Sequence, residues 1–342
     1  MKQYLSLREQ YPRFAYRGYE IEENDSCLKI TYRFETLGLS EFAPVWVFPK
    51  AEGDCRRWSE DRLMQDMIFS LGMVELISYW KIACPPTVTV EAGRLNQDQI
   101  DWWKDLYFNG LGEFFYVNGI KEADPNHFMD IQCAGQLKAP CTDQYKERHE
   151  ECGVETVGKG NGVLVPIGGG KDSAVTLELL RLAGKPVCAY IINPRGATIH
   201  TTEVAGLDAA HVISAKRTLD SNMLELNRQG YLNGHTPFSA LVAFSGIIAA
   251  RMHGLTMVAL SNESSANEST VQGSTVNHQY SKSFKFEEDF HYYQTTYLKG
   301  SAYYFSMLRP LSEFQIARFF AGQKQYHGIF RSCNAGSKTD SW

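Results

Sequence analysis

A glycine-rich turn in the middle of the chain constrains the fold more than any other feature of the sequence. Residues 163–167 (VLVPI) form a short apolar run, residues 168–173 (GGGKDS) follow it, and residues 174–183 carry apolar side chains at helical spacing. A short apolar run is typical of a strand that is buried on both faces. A strand, a glycine-rich turn and a helix in this order predict one unit of an α/β sheet.

The same alternation continues towards the end of the chain. We predict strands over residues 187–192, 211–213 and 256–260, and helices over residues 200–210, 236–253 and 312–321. Thr236 is the expected cap of the second of these helices, and Ser312 with Gln315 predicts a capping box on the third. Because strands and helices alternate, we expect a parallel sheet with helices on both faces.

The residue types in the turn favour an anionic ligand. Glycines let the backbone approach phosphate oxygens, and N–H groups at the start of the next helix donate to them. Lys171 adds a positive charge and Ser173 adds a hydroxyl donor. Asp172 would repel a phosphate unless Mg²⁺ lay between them, so the turn predicts a metal-bound nucleotide with Asp172 at the metal. A Walker A loop is excluded, because Asp172 stands where that motif has Ser or Thr.

The first half of the chain has a different character. It predicts a hairpin over residues 14–36, a helix over residues 59–83 that Ser59 caps, and one or two aromatic-rich helices over residues 97–118. A polar stretch with scattered Gly and Pro follows over residues 121–160. We therefore predict an α+β domain over residues 1–155 and an α/β domain over residues 156–342. We also expect the first domain to help bind substrate, although this does not follow from its residues.

Charge and composition narrow the partners. Residues 1–155 carry a net charge of −9 and residues 156–342 carry +4, so an anionic ligand is expected in the second half. The sequence has no run of about 18 apolar residues, no apolar leader after Met1 and no run of about five basic residues. Its eight cysteines form no C-x-x-C pair. We expect a cytoplasmic protein that binds neither membrane nor nucleic acid.

Residues 168–173 resemble the S-G-G-x-D-S loop of the ATP pyrophosphatase (PP-loop) superfamily, with Gly168 where Ser is usual. The resemblance implies a PP-loop fold for the second domain, cleavage of ATP between its α- and β-phosphates, and adenylation of a second substrate. It also implies that adenine packs near residues 190–193. The implied nucleotide contacts are Gly168, Gly169, Gly170, Lys171, Asp172, Ser173, Tyr190 and Asn193.

Two further segments, residues 233–240 (NGHTPFSA) and 258–268 (VALSNESSANE), narrow the resemblance. Together with residues 115–120, 168–173 and 330–334, they are similar to the bacterial ATP-dependent UDP-N-acetyl-α-D-muramoyl-L-alanyl-L-glutamate epimerase family. The resemblance implies that ATP and Mg²⁺ activate the terminal L-Glu of the UDP-muramoyl dipeptide, that AMP and pyrophosphate are released, and that L-Glu becomes D-Glu. It also implies a natural protein that continues beyond Trp342.

The polar stretch over residues 261–283 is nearly free of aliphatic side chains, which favours an active-site loop over an insertion. In the same stretch and elsewhere we select candidates by chemistry. The candidate catalytic residues are His235, Asn262, Glu263, Glu268 and Cys333, and the candidate substrate contacts are Arg195, His278, Ser281 and Lys282. A turn explains His235 equally well, and a solvated loop explains Glu268 nearly as well. Residues 287–289 (EED) are interpreted as a solvated charge run rather than a metal site.

Two other functions use the same turn. One is a PP-loop enzyme that modifies tRNA or forms amides, although the acidic first half and the missing C-x-x-C pairs disfavour it. The other is a nucleotide sensor that binds ATP without cleaving it, which the polar residues over 261–283 disfavour. The sequence leaves the general base and the oligomeric state open.

Overall fold

The computed structural model describes residues 2–133, 162–268, 277 and 279–331. Within this part of the chain, all strands belong to one mixed sheet. The strands are β1 (Arg13–Glu23), β2 (Cys27–Thr36), β3 (Ser40–Phe42), β4 (Val45–Pro49), β5 (Thr87–Val90), β6 (Asp130–Cys133), β7 (Val163–Pro166), β8 (Val187–Ile192), β9 (Val212–Thr218), β10 (Met257–Leu260) and β11 (Tyr303–Ser306).

The second half of the sheet is parallel. Its strands lie in the order β11-β10-β7-β8-β9, and each is parallel to its neighbours. The chain runs outwards from β7 through β8 to β9, crosses back to β10 on the other side of β7, and continues to β11. This reversal makes a switch point between β7 and β10, beyond whose carboxyl ends open α/β sheets bind their ligands.

Helices cover both faces of the parallel strands. The helices are α1 (Lys2–Gln10), α2 (Arg62–Trp80), α3 (Gln97–Gly110), α4 (Gly112–Val117), α5 (Lys171–Leu182), α6 (Gly196–Val204), α7 (Ser221–Arg228), α8 (Phe238–Met252), α9 (Phe284–Tyr297) and α10 (Glu313–Ala321). Val163 and Val165 of β7 point into an apolar cluster with α5 and α10, whereas Leu164 joins the cluster that contains α8 and α9. Successive strand residues point to opposite faces, so the sheet separates the two clusters.

The first half adds an antiparallel hairpin, β1–β2, and extends the sheet in the order β4-β2-β1-β5-β6. Strand β4 pairs antiparallel with β9, which joins the two halves in one sheet. Helix α2 is buried along most of its length and packs against α8. The predicted boundary at residue 155 lies outside the described residues, and the division into two domains stays a prediction.

A buried ion pair lies where the halves meet. Glu75 of α2 is fully buried, and its carboxylate accepts from the Arg217 guanidinium at 2.7 Å and 3.0 Å. The indole Nε1 of Trp46 donates to the same carboxylate at 3.0 Å. We call Glu75 and Arg217 the junction pair. Its charges are balanced, and both side chains are at least about nine-tenths buried.

Most predicted elements are confirmed, and several boundaries differ. The capping box of Ser312 and Gln315 is present, and residues 97–118 form two helices. The predicted cap at Ser59 is wrong, because Asp61 accepts from the Met64 N–H at 2.7 Å. Helix α8 starts after Pro237 without a side-chain cap, so the predicted cap at Thr236 is wrong as well. Among the described helices, none combines the length and apolar character that a membrane span requires.

Candidate active site

The glycine-rich turn lies directly at the switch point, between the end of β7 and the start of α5. Gly169 has φ +80°, and a Cβ added there would lie 2.8 Å from the Ala197 Cβ, so a glycine is required at this position. The backbone carbonyl of Gly169 accepts from the Arg331 N–H at 2.9 Å. Gly170 is the N-cap of α5 and has no side chain, so it leaves the first N–H groups of the helix uncapped by its own residue.

Lys171, the first residue of α5, lies between two carboxylates. Its ammonium is 2.6 Å from Asp172 Oδ1 and 2.9 Å from Glu313 Oε1. Burial acts to lower the pKa of Lys171, but the hydrogen bonds to Asp172 and Glu313 outweigh it and the pKa is raised. Lys171 is therefore a cation throughout the physiological range. The Ser173 hydroxyl donates to the Gly170 carbonyl at 3.0 Å and is buried.

Glu263 comes to the same place from the other side of the switch point, three residues after β10. Burial, followed by a hydrogen bond shared with Glu313, raises the pKa of Glu263 to about 7. The same bond, with the contribution of Lys171, lowers the pKa of Glu313. Near neutral pH the two carboxyl groups therefore share a proton. Lys171, Asp172, Glu263 and Glu313 form what we call the loop cluster.

The loop cluster has an excess of negative charge. Two carboxylates, of Asp172 and Glu313, contact one ammonium, and the Glu263 carboxyl group interacts with both carboxylates. All four side chains are partly exposed. Such an arrangement attracts a cation and can move a proton at neutral pH. Among the described residues, no group of three or more His, Cys, Asp or Glu side chains is arranged to hold a metal ion by itself. Magnesium sites commonly use one or two carboxylates together with substrate phosphates, and this donor set fits that pattern.

A known protein family matches most of the chain. Residues 6–307 match the family described as the MurL N-terminal domain. The chain belongs to this family.

Curated relatives of this MurL-family chain are named UDP-N-acetyl-alpha-D-muramoyl-L-alanyl-L-glutamate epimerase. The protein of Xanthomonas oryzae pv. oryzae is 34% identical over 273 residues, which cover 79% of this chain and 56% of the relative. The protein of Salinispora tropica is 31% identical over 281 residues, which cover 80% of this chain and 57% of the relative. The chain thus spans little more than half the length of these relatives.

The other candidates of residues 261–283 follow β10 in the MurL-family chain. Asn262 is buried, and its amide donates to the Ser306 hydroxyl at 3.1 Å. Ser281 is buried in a short 3₁₀ helix, whereas Glu268 and Lys282 are exposed. Their assignment to catalysis or to substrate binding stays a prediction. His278 and Cys333 lie outside the described residues.

The candidates in β8 and directly after it have defined contacts. Tyr190 is buried in the core, and its backbone carbonyl accepts from the Ile167 N–H at 2.8 Å, beside the turn. Asn193 has φ +53°, and its amide bonds both the N–H and the carbonyl of Arg217 at 2.8 Å. Arg195 is exposed and is the N-cap residue of α6. The contact of residues 190–193 with adenine stays a prediction.

His235 lies just before α8, against the first half of the chain. Its Nδ1 is 3.8 Å from the Glu113 carboxylate of α4. The preceding carbonyl, of Gly234, accepts from the buried Lys81 ammonium. Burial is the main cause that lowers the pKa of Lys81 to about 8. His235 is therefore fixed beside α4, and a catalytic role for it stays a prediction.

Sequence reasoning missed Glu313, Glu287 and Arg309. In the sequence, Glu313 stands out only as an acidic residue in the first turn of a capped helix, which is weak evidence for a functional role. The interpretation of residues 287–289 as a solvated run is wrong for Glu287, which is buried and 3.1 Å from Arg309. Nothing in the local sequence of Arg309 indicates that it is partly buried.

Proposed function

We propose that this chain binds ATP and Mg²⁺ in an epimerase that inverts the terminal L-Glu of UDP-N-acetylmuramoyl-L-Ala-L-Glu. In this proposal the glutamate carboxylate is adenylated, AMP and pyrophosphate are released, and residues 156–342 form a PP-loop domain. The observation that carries the proposal is the glycine-rich turn with Lys171 at the switch point of a MurL-family chain. The names of the relatives supply the substrate.

The turn would hold the phosphates of ATP. Uncapped N–H groups at the start of α5, together with the helix dipole, stabilise negative oxygens there. Gly169 fits this task, because its left-handed backbone and its contact with Ala197 leave no space for a side chain. Lys171, held as a cation by its two carboxylate partners, adds a fixed positive charge.

Mg²⁺ would be held by Asp172 together with phosphate oxygens, and it would neutralise charge on the leaving pyrophosphate. Asp172 is the carboxylate nearest to Lys171 and follows it directly in the first turn of α5. Because two carboxylates share one ammonium and a third carboxyl group lies beside them, the loop cluster has negative charge left for a divalent cation. The proposal that Mg²⁺ fits this site rests on the excess of negative charge in the loop cluster.

Adenylation explains why an epimerase would consume ATP. The α-proton of a glutamate whose own carboxylate is ionised is very weakly acidic, since the carbanion would form beside a negative charge. A mixed anhydride with AMP removes that charge and lets the carbonyl delocalise the electron pair. A base can then remove the proton, and return of a proton to the opposite face gives D-Glu. Hydrolysis of the anhydride restores the acid.

Glu263 is the candidate proton carrier that the geometry supports best. A group with a pKa of about 7 accepts and returns a proton with little free-energy cost near neutral pH. It lies at the carboxyl end of β10, next to the strand that leads into the turn. A carboxyl group in this position would be close to the activated substrate carbonyl.

One assay tests the proposal. The purified protein is incubated with ATP, Mg²⁺ and UDP-N-acetylmuramoyl-L-Ala-L-Glu. AMP is measured directly, and the chirality of the glutamate is measured after acid hydrolysis of the product. We expect AMP and D-Glu to form together, and neither to form without Mg²⁺. A folded protein that forms no AMP, or that forms the same AMP without the dipeptide substrate, contradicts the proposal.

A further inference from the structure

Arg309, in the turn after β11, makes several of the hydrogen bonds that lie next to the loop cluster. Its Nη1 donates to the Glu263 carbonyl at 2.7 Å, and its Nη2 donates to the Lys282 carbonyl at 2.7 Å. The same Nη2 is 3.1 Å from the Glu287 carboxylate and 3.2 Å from the Ser306 hydroxyl. One guanidinium thus joins two stretches of chain that lie 19 residues apart in sequence, Glu263 and Lys282.

Residues of α9 and β11 form further hydrogen bonds with the partners of Arg309. Glu287 of α9 is buried, and its other carboxylate oxygen accepts from the Ser306 N–H of β11 at 2.9 Å. Ser306 also accepts the Asn262 amide on its hydroxyl. Because Glu287 on α9 and Ser306 on β11 both bind the guanidinium, these contacts set its orientation towards the Glu263 carbonyl. A planar fork with several donors can make these bonds together, whereas an ammonium is a compact point donor.

We propose that Arg309 is a positioning residue for the reaction, which sets the place of Glu263 relative to Lys171 and Glu313. The inference rests on the proposed function. The carbonyl of Glu263 accepts from Arg309, and its carboxylate oxygen Oε1 accepts from the Ser265 hydroxyl at 2.9 Å, so hydrogen bonds hold both the backbone and the side chain of this residue. Losing the first contact frees the backbone that carries the carboxyl group. A misplacement of about 1 Å at a reacting group costs about 100-fold in rate.

The test is a double-mutant cycle on AMP formation. Arg309→Lys keeps the charge beside Glu287 but cannot reproduce the fork, and Glu263→Gln removes the proton-carrying group. We expect each single variant to lower kcat about 100-fold, with the KM for ATP changed much less because the turn holds the phosphates. Since Arg309 acts through Glu263, the double variant is expected to be no slower than Glu263→Gln alone.

Arg318→Lys, at an exposed site on α10, is the matched control. It should leave kcat unchanged, and its effect should add to that of Glu263→Gln. Additive effects of Arg309→Lys and Glu263→Gln would overturn the proposal, because they would mean that Arg309 acts elsewhere. An equal loss in kcat and in the ATP-binding capacity of Arg309→Lys would overturn it too, since that pattern reflects misfolded protein.

A readout that does not depend on activity separates this inference from the proposed function. Hydrogen exchange at the amides of residues 263–268 should speed up in Arg309→Lys and stay unchanged in Arg318→Lys. Exchange in β7 and α5 should be the same in both variants. If the wild-type protein forms no AMP, the proposed function fails, and unchanged exchange at residues 263–268 then rejects the positioning role independently.

Discussion

The junction pair and the loop cluster are two groups of charged residues with opposite organisation. The junction pair matches one carboxylate with one guanidinium, both buried, and the Trp46 indole adds a further donor. The loop cluster sets two carboxylates against one partly exposed ammonium and adds the Glu263 carboxyl group beside them. A balanced, buried pair has no charge left for a ligand, whereas an unbalanced and accessible group does. The difference separates a structural ion pair from a candidate binding site.

The largest effect is expected from Asp172→Asn in the loop cluster. The substitution removes the proposed metal contact while keeping the size of the side chain. We expect Mg²⁺-dependent AMP formation to fall about 10³-fold, in line with the loss of one electrostatic group at a reacting phosphate. AMP release measured against Mg²⁺ concentration tests this. The thermal unfolding midpoint should change little, and near-normal activity would mean that the turn has another role.

Glu75→Ala in the junction pair should do the reverse. It leaves the Arg217 guanidinium buried without its carboxylate, so we expect the free energy of unfolding to fall by about 3–5 kcal/mol. Urea unfolding followed by fluorescence measures the loss. The activity of the molecules that stay folded should be close to normal. A large loss of turnover with unchanged stability would show that the junction pair takes part in the reaction.

Substitutions at two neighbouring glycines of the turn should have smaller effects, and these effects should differ between the two positions. Gly169→Ala forces an unfavourable backbone conformation and a 2.8 Å contact with Ala197, so a stability loss of about 1–3 kcal/mol and weaker ATP binding are expected. At Gly168 an added Cβ meets nothing within 4 Å. Gly168→Ser should therefore be tolerated, with ATP affinity equal or higher. Calorimetric titration with ATP compares the two, and equal effects would disprove this view of the turn.

The smallest effect concerns pH. Because the pKa of Glu263 is raised to about 7, its protonated form stabilises the fold below its ordinary pKa, and this contribution is lost as the pH rises from about 4.5 through 7. Glu263→Gln cannot lose a proton and should lack this loss. The difference in unfolding free energy should stay below about 1 kcal/mol, since solvent screens the partly exposed group. Parallel curves for both proteins between pH 4 and 8 would contradict the pKa shift.

The sequence predicted what depends on short stretches of chain. The apolar run of β7, the turn and the start of α5 are contiguous, so their pattern predicted the order of elements, which is confirmed. Anion binding at the turn stays a prediction. The capping box at Ser312 is equally local, since its two residues are three apart. Asn262 and Glu263 were selected because polar residues follow a predicted strand, and the parallel sheet places Glu263 beside the turn.

What the sequence could not show depends on distant parts of the chain. Glu313 reaches Lys171 across 142 residues, because α5 and α10 pack on the same face of the sheet. Glu287 has two acidic neighbours in sequence and resembles a solvated run, yet its position on α9 turns it towards β11 and Arg309. The pairing of β4 with β9 is also non-local, and the sequence of neither strand indicates which strand it pairs with.

The β4–β9 pairing has a consequence for motion. A hinge between the two halves would have to break a ladder of backbone hydrogen bonds, separate the junction pair and expose the face that α2 shares with α8. Domain closure of the kind that many two-lobed enzymes use would therefore cost this protein too much free energy. In the proposed reaction, shielding of the anhydride from water would then depend on segments that lie outside the sheet.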